Sequence, residues 1–133
     1  EIFYQEGTFT PFIYGSTTAG EHTYSDQVGI YTRIGNRVDI LVRCKISTFD
    51  ATMAGSVRVG GLPYSSQSTA VVTIFAYSLA AGVNHIGGTI STGNNYVGMF
   101  KNAPDEAVAA LQSADVQAGS AIRVTSVMFI HGA

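Results

Sequence analysis

The chain has 133 residues, of which 12% are charged, and its formal net charge is −2. This length suits one domain with a real core, and so weak a charge gives little attraction toward nucleic acid or an anionic membrane. We therefore predict no nucleic-acid partner. The low charge leaves a surface of neutral polar and some apolar groups, which suits a protein that buries part of its surface in an oligomer.

The cysteine content, the absence of long apolar runs and the first residue limit the kinds of protein that this chain can be. Cys44 is the single cysteine, so no disulfide can form within the chain, and we interpret it as a small buried hydrophobic side chain. No run of 18 apolar residues and no signal-peptide pattern occurs, so we predict no membrane insertion. Because the chain begins at Glu1 rather than methionine, we expect a fragment of a longer protein.

The first predicted strand covers residues 8–14 and is apolar. Its Pro11 favours an edge position, because proline cannot donate a hydrogen bond to a neighbouring strand. Strand pairing is expected to begin again within residues 23–29, where Gly29 marks either a β-bulge or a close approach of another part of the chain.

A β-hairpin is the clearest element of the sequence. Residues 37–46 alternate between apolar and polar side chains, which is the period of a half-buried strand. Gly35-Asn36 separates this run from the apolar run before it and supplies the positive φ that a two-residue hairpin turn requires. The pattern predicts two long antiparallel strands joined by that turn.

The second half of the chain predicts further short strands. Residues 56–59, 84–92 and 95–101 fit brief strands, whereas 70–78 and 122–130 are apolar on both faces. Both faces then need cover, which a second chain or a loop would provide. Residues 104–111 start with a proline and two acids and are compatible with two turns of helix. Together the elements predict an all-β fold, an antiparallel, jelly-roll-like β-sandwich with at most one short helix.

No linear motif for catalysis occurs. The three histidines are too far apart in sequence to form a recognisable zinc site, and we predict no metal and no cofactor. There is no nucleophile elbow, phosphate loop or dinucleotide fingerprint, so the sequence predicts no enzyme. One alternative stays open, because folding could bring together a glycosidase pair from distant carboxylates such as Asp26, Asp50 or Asp115.

Aromatic rings and amides in predicted loops suit a sugar ligand, because sugars stack apolar ring faces on aromatics and bond amides through their hydroxyls. Tyr64, beside Pro63, is the strongest candidate. Tyr96 flanks a strand, a position that favours packing over binding, and Asn94 is explained by its turn. The predicted binding residues are Tyr64, Gln67, Asn94, Asn95, Tyr96 and His22.

Four motifs stand in order in the first half of the chain. They are Gly7-Thr8-Phe9-Thr10-Pro11, Tyr24-Ser25-Asp26-Gln27-Val28-Gly29-Ile30-Tyr31, Gly35-Asn36-Arg37-Val38 and Gly61-Leu62-Pro63-Tyr64. In this order and at these spacings they resemble a C-terminal domain of bacteriophage tail fibres and related virion proteins. The second half matches that domain only in its rhythm of strands.

The resemblance implies a homotrimeric β-sandwich of residues 7–133 at the distal tip of a virion tail fibre, with residues 1–6 ending the preceding fibre segment. It implies non-catalytic attachment to a surface polysaccharide, capsule or lipopolysaccharide, of a Gram-negative host such as Acinetobacter, and it transfers no catalytic residue. Two alternatives remain: a structural trimerisation or capping module without receptor binding, and a capsule-degrading enzyme.

Overall fold

The computed structural model describes residues 3–80, 83, 86–102 and 108–130, and in them the chain is built from antiparallel strands. The strands are β1 (Tyr4–Phe9), β2 (Phe12–Gly15), β3 (Thr23–Ile34), β4 (Arg37–Thr48), β5 (Val57–Gly60), β6 (Ala70–Tyr77), β7 (Ile86–Ile90), β8 (Val97–Asn102), β9 (Val108–Ala110) and β10 (Ala121–Phe129). The predicted all-β, antiparallel fold is confirmed.

The strands form one continuous curled sheet in the order β1-β3-β4-β10-β6-β7-β8-β5-β2, with β9 on β8. Residues 73–77 of β6 pair with β10, and residues 70–72 pair with β7, so β6 joins the two halves. We call the half from β1 to β6 sheet A and the half from β6 to β2 sheet B. Their inner faces share one apolar core, which includes Val42 of sheet A and Val59 and Met99 of sheet B.

The predicted hairpin is β3 and β4. Ile34 lies opposite Arg37 across the turn, and Gly35 has the expected positive φ of 62°. Alternate residues of β4 from Val38 to Ile46 are buried, as the period predicted. The register of β3 shifts near Tyr24, so the irregular pairing lies there and not at Gly29.

Glycines and rings of the first two motifs fit into one another across β1 and β3. Gly7 lies opposite Tyr31, and Phe9 lies opposite Gly29. A Cβ on either glycine would lie 2.6 Å from atoms of the ring it faces, so each glycine leaves the space that an aromatic ring fills. Gly29 is therefore a close approach, the second of the two predicted alternatives.

Between β1 and β2 the chain crosses from sheet A to sheet B at Pro11. Gln27 of β3 donates from Nε2 to the Pro11 carbonyl over 2.7 Å, and the Tyr24 hydroxyl accepts the Ile13 N–H at 2.8 Å. The crossing splits the single strand predicted over residues 8–14 into two. Both are edge strands, as Pro11 indicated.

Residues 108–110 are strand β9, so the helix predicted over 104–111 is wrong in its second half; residues 103–107 lie outside the described part of the chain. β9 pairs with β8, with Ala110 opposite Phe100, and the next residue, Leu111, is fully buried. Pairing and burial override the local helix signals here. A 3₁₀ turn at Ser113–Asp115 follows.

Two smaller predictions concern the burial of Cys44 and the start of the domain at Gly7. Cys44 is 2% exposed, and burial raises the pKa of its thiol to about 12, which confirms a buried hydrophobic role. β1 begins at Tyr4, and residues 4–6 already pair with β3. The domain boundary at Gly7 stays a prediction.

Candidate functional site

Two loops of sheet B that carry predicted binding residues are tied together at one end of the fold. They are residues 61–69, between β5 and β6, and residues 91–96, between β7 and β8. The Ser66 N–H donates to the Asn94 carbonyl at 3.0 Å, and the Gly93 N–H donates to the Ser66 carbonyl at 2.7 Å. The structure thus brings Gln67 next to Asn94, and the side chains of Gln67 and Asn95 are exposed beside this junction.

Tyr96 is fixed by contacts on several sides. The guanidinium carbon of Arg58 lies 4.4 Å from the centre of the Tyr96 ring. Tyr14 approaches edge-on, with ring centres 6.3 Å apart, and Asn94 donates from Nδ2 to the Tyr96 hydroxyl over 3.2 Å. A ring held in this way loses little freedom when a ligand contacts it.

A groove lies beside this ring on the outer face of sheet B. Arg58 of β5 lies opposite Gly98 of β8, which lies opposite Thr89 of β7. Because Gly98 has no side chain, the row of outward residues drops to the backbone between its two neighbours. The depression has a volume of about 170 Å³ and is lined by Ser56, Val57, Arg58, Thr89, Ser91, Tyr96, Gly98, Met99, Phe100 and Ala110. We call it the Gly98 groove.

The groove combines a cation, hydroxyls and aromatic rings. Arg58 is the one charged residue among the described residues that line it. Within the described chain, the ion pairs involve other cations, Arg37, Arg43 and Lys101. Serine and threonine hydroxyls can donate and accept, and ring faces can contact the apolar face of a sugar.

Tyr64, the strongest candidate from the sequence, belongs to a different cluster. Its hydroxyl donates to Gln5 Oε1 over 3.1 Å, and its ring lies 5.2 Å from the guanidinium of Arg33. Arg33 is 8% exposed and also lies 4.4 Å from the ring of Phe3. These contacts give Tyr64 a packing role that covers a buried arginine, and its role in binding stays a prediction.

His22 lies at the other end of the fold from the tied loops. Its Nδ1 accepts the Asp50 N–H at 2.9 Å, so Nε2 carries the proton and contacts the Met53 sulfur at 3.2 Å. The imidazole stacks on Phe49 with ring centres 5.1 Å apart. Both ring nitrogens are therefore engaged within the protein, and the structure does not bring His22 to the other predicted residues.

The contacts of His22 predict acid sensitivity. Burial lowers the pKa of His22 below its ordinary value, although Asp50 opposes the shift, and hydrogen bonds from Thr52 and Glu21 lower the pKa of Asp50 to about 2. The unfolded chain binds the histidine proton more readily, so we expect the free energy of unfolding to fall as the pH drops below about 6.5. Asp50 adds a second loss between about pH 4 and pH 2.

Urea titrations at pH 7 and pH 5, followed by circular dichroism, measure this loss. The His22→Gln variant should show a smaller difference between the two pH values than the unmodified chain. An unchanged difference would show that His22 does not cause the acid sensitivity.

Sequence reasoning missed Arg58, Thr89, Ser91 and Phe100 as groove residues. Alternation within residues 56–59 already placed Arg58 on the face opposite Val57 and Val59. No signal in the sequence gave the register of β5, β8 and β7, which is what places Arg58, Gly98 and Thr89 in one row.

Metal ligands do not cluster in the described residues. There, no three histidine, cysteine or acidic side chains come together in a way that could hold a metal ion. The same part of the chain has no helix of the length and apolarity needed to cross a membrane.

Comparisons with known proteins connect this fold to phages. A stretch of 66 residues, 49% of the chain, is 38% identical to a capsule KN4-specific depolymerase of Klebsiella phage K64-1, of which it spans 9%. The fold matches the Dettilon tailspike protein with a TM-score of 0.77 at 17% identity, over 95% of this chain and 24% of that one. No protein-family model matches.

These likenesses agree with the coarse part of the resemblance, a domain of a phage tail fibre or tailspike. The tailspike match is a likeness of fold, and the chain covers a small part of either protein. Since the sequence relative comes from a Klebsiella phage, the comparison gives no support to an Acinetobacter host.

The depolymerase match overturns our prediction that the chain is no enzyme. That prediction relied on the absence of linear motifs. Enzymes that cleave glycans can work with two carboxylates that folding brings together from distant positions, and such a pair leaves no motif in the sequence. The absence of a linear motif is therefore no evidence against this class of enzyme.

Proposed function

We propose that this chain is the polysaccharide-binding domain of a phage tailspike or tail-fibre protein that degrades the capsule of its host. The Gly98 groove carries the proposal, because it is a concave site with one cation, hydroxyls and a fixed aromatic ring on an otherwise weakly charged chain. Its volume of about 170 Å³ is smaller than the roughly 300–1,000 Å³ of pockets for drug-sized ligands. It suits one sugar ring of a longer polymer.

The placement of the groove favours a polymer over a free sugar. It opens on the outer face of a sheet, and the exposed side chains of Gln67 and Asn95 stand on the loops at its end. A chain of sugars can then leave the groove in the direction of these amides, which bond hydroxyls. We include Gln67, Asn94, Asn95 and Tyr96 in the proposed site on this ground.

Filling the groove tests the proposal. A Cβ on Gly98 would meet its nearest atoms at 3.8 Å, an ordinary contact, so Gly98→Val should fold normally and fill the depression. We expect at least about a tenfold loss of affinity for capsular polysaccharide of type KN4, or for whichever polysaccharide an array of bacterial capsules identifies, because one subsite is lost.

Gly87→Val is the matched control. Gly87 lies opposite Phe100 on the same sheet and does not line the groove, and a Cβ there would have no neighbouring atom within 4 Å. This variant should bind like the unmodified chain in isothermal titration calorimetry. Equal binding by both variants, or binding by neither the variants nor the unmodified chain, would count against the proposal.

We propose further that three copies of the chain associate through the outer face of sheet A. Phe75 is 62% exposed and Phe129 is 47% exposed, although each lies on a regular strand of the sheet. The register places further exposed apolar side chains on this face: Ile30, Ile34, Leu41, Tyr77 and Val127. The sequence predicted this need for cover on β6 and β10, and a patch of this kind is characteristic of an interface. A three-fold assembly at the tip of a tail protein would present three Gly98 grooves to one capsule.

A further inference from the structure

We infer that the Gly98 groove selects an acidic sugar, with the guanidinium of Arg58 pairing to the carboxylate of a uronic acid or a similar carboxylated residue. This inference rests on the proposed polysaccharide-binding function and adds the chemical class of the sugar.

Three other arginines bond oxygen atoms of the protein, whereas the contact found for Arg58 is an aromatic ring. Arg33 donates to the Gly35 carbonyl at 2.8 Å, Arg37 pairs with Asp39, and Arg43 pairs with Asp26. For Arg58 the contact found among the described residues is the face of Tyr96, 4.4 Å from its guanidinium carbon. Stacking occupies the face of the guanidinium and leaves its N–H edge available for an acceptor.

A carboxylate is the fitting acceptor for this guanidinium. Arg58 is the one charged residue among the described lining residues. No carboxylate of the protein among them therefore competes with a ligand carboxylate for the guanidinium. A guanidinium forms two parallel hydrogen bonds to a carboxylate, a geometry that a neutral sugar hydroxyl cannot match. The side chain is half-buried, so the pair is screened less than a pair on the open surface.

The rest of the groove fits the remainder of such a sugar. Thr89 and Ser91 provide hydroxyl groups on the side opposite Arg58, across the backbone floor at Gly98. Phe100 also lines the groove, and its ring lies next to the space above Gly98. A pyranose with its carboxylate on Arg58 can therefore lay an apolar face on a ring and direct hydroxyls at the two side chains.

Carboxyl reduction provides the direct test. An array of bacterial capsular oligosaccharides that contain glucuronic acid is prepared in native form and after reduction of each glucuronate to glucose, which removes the charge and keeps the ring. We expect the unmodified chain to bind the native form at least about tenfold more tightly, since reduction removes a bidentate, charge-assisted pair of hydrogen bonds.

Two arginine variants test whether Arg58 causes the preference for native over reduced sugars. Arg58→Gln should bind native and reduced sugars about equally. Arg123→Gln removes an exposed arginine with the same change of net charge. Arg123 lies opposite Phe75 on the outer face of sheet A, so a change in assembly could alter avidity, but the ratio of native to reduced affinity of a single groove should stay the same. Matching thermal unfolding of the two variants shows that both are folded.

The outcomes separate this inference from the proposed function. Binding of native and reduced sugars with equal affinity by the unmodified chain would overturn the acidic specificity and leave polysaccharide binding in place. Loss of the preference in Arg123→Gln but not in Arg58→Gln would assign the carboxylate to another site and overturn the inference. Binding of no oligosaccharide at all would overturn both.

Discussion

Replacing Gly61 with alanine should destabilise the fold by about 3 kcal/mol or more. Gly61 has a φ of 88°, and a left-handed conformation costs an alanine roughly 1–2 kcal/mol. The added Cβ would also overlap the backbone carbonyl oxygen of Thr10, which cannot move as a side chain can, and overpacking of this kind costs about 1–3 kcal/mol more. Urea unfolding followed by circular dichroism at one fixed protein concentration measures the sum.

Gly35→Ala is the control for Gly61→Ala. Gly35 also has a positive φ, 62°, but a Cβ there has no neighbouring atom within 4 Å. Its cost should be the conformational part alone, about 1–2 kcal/mol. Equal costs for the two variants would show that the contact between residue 61 and Thr10 does not matter. The Gly61-Leu62-Pro63-Tyr64 motif would then lack the steric reason that the structure gives for its first residue.

Replacing Phe75 with glutamate should prevent the proposed three-fold assembly. Glutamate removes the aromatic contact area at the centre of the proposed interface. Although Arg123 lies opposite position 75, pairing with it would not repay the dehydration of two charges on association. Light scattering after size-exclusion chromatography should give about 42 kDa for the unmodified chain, three times 14.0 kDa, and about 14 kDa for Phe75→Glu. Apparent affinity for a surface coated with capsular polysaccharide should fall by about a hundredfold, since avidity is lost.

Phe12→Glu is the matched control for the assembly. Phe12 is also an exposed phenylalanine, 42% accessible, but it lies on the edge strand β2 of sheet B. It should stay trimeric. An unmodified chain of about 14 kDa at micromolar concentration would contradict the three-fold assembly outright.

Much of the fold could be predicted because its signals are local. The alternation of residues 37–46 and the Gly35-Asn36 turn predicted β4 and its hairpin, and the structure has both. The motifs around Gly7 and Gly29 can be recognised in the sequence, but the sequence does not say why glycine is required there. The structure gives the reason, because each glycine leaves space for an aromatic ring of the facing strand.

The candidate site could be predicted only in part, because it is assembled from distant segments. Tyr96 and Asn94 were proposed as binding residues from their residue types. For Arg58 the alternation of its strand gave only the outward face, and nothing in the sequence marked Thr89. They become neighbours of Gly98 only through the pairing of β5, β8 and β7, which sequence patterns do not encode. The helix predicted over 104–111 failed for a similar reason, since pairing with β8 decides the conformation of residues 108–110.

The contacts of Tyr64 could not be predicted either, because they join distant segments of the chain. A tyrosine next to a proline in a loop suggests an exposed ring, but the fold brings β1 and β3 beneath it. There it covers Arg33 and bonds Gln5. Arg33 and Gln5 are 31 and 59 residues away from Tyr64 in the sequence, too far for any local pattern to link them to it.

NMR can locate polysaccharide binding in the Gly98 groove residue by residue. The backbone amide spectrum of the isotopically labelled chain is recorded while a capsular oligosaccharide identified on the array is added. We predict that the largest chemical-shift changes occur at Arg58, Thr89 and Gly98, with smaller changes in the loops of residues 61–69 and 91–96. Changes that cluster instead around His22 and Asp50, at the other end of the fold, would show that polysaccharide does not bind in the Gly98 groove.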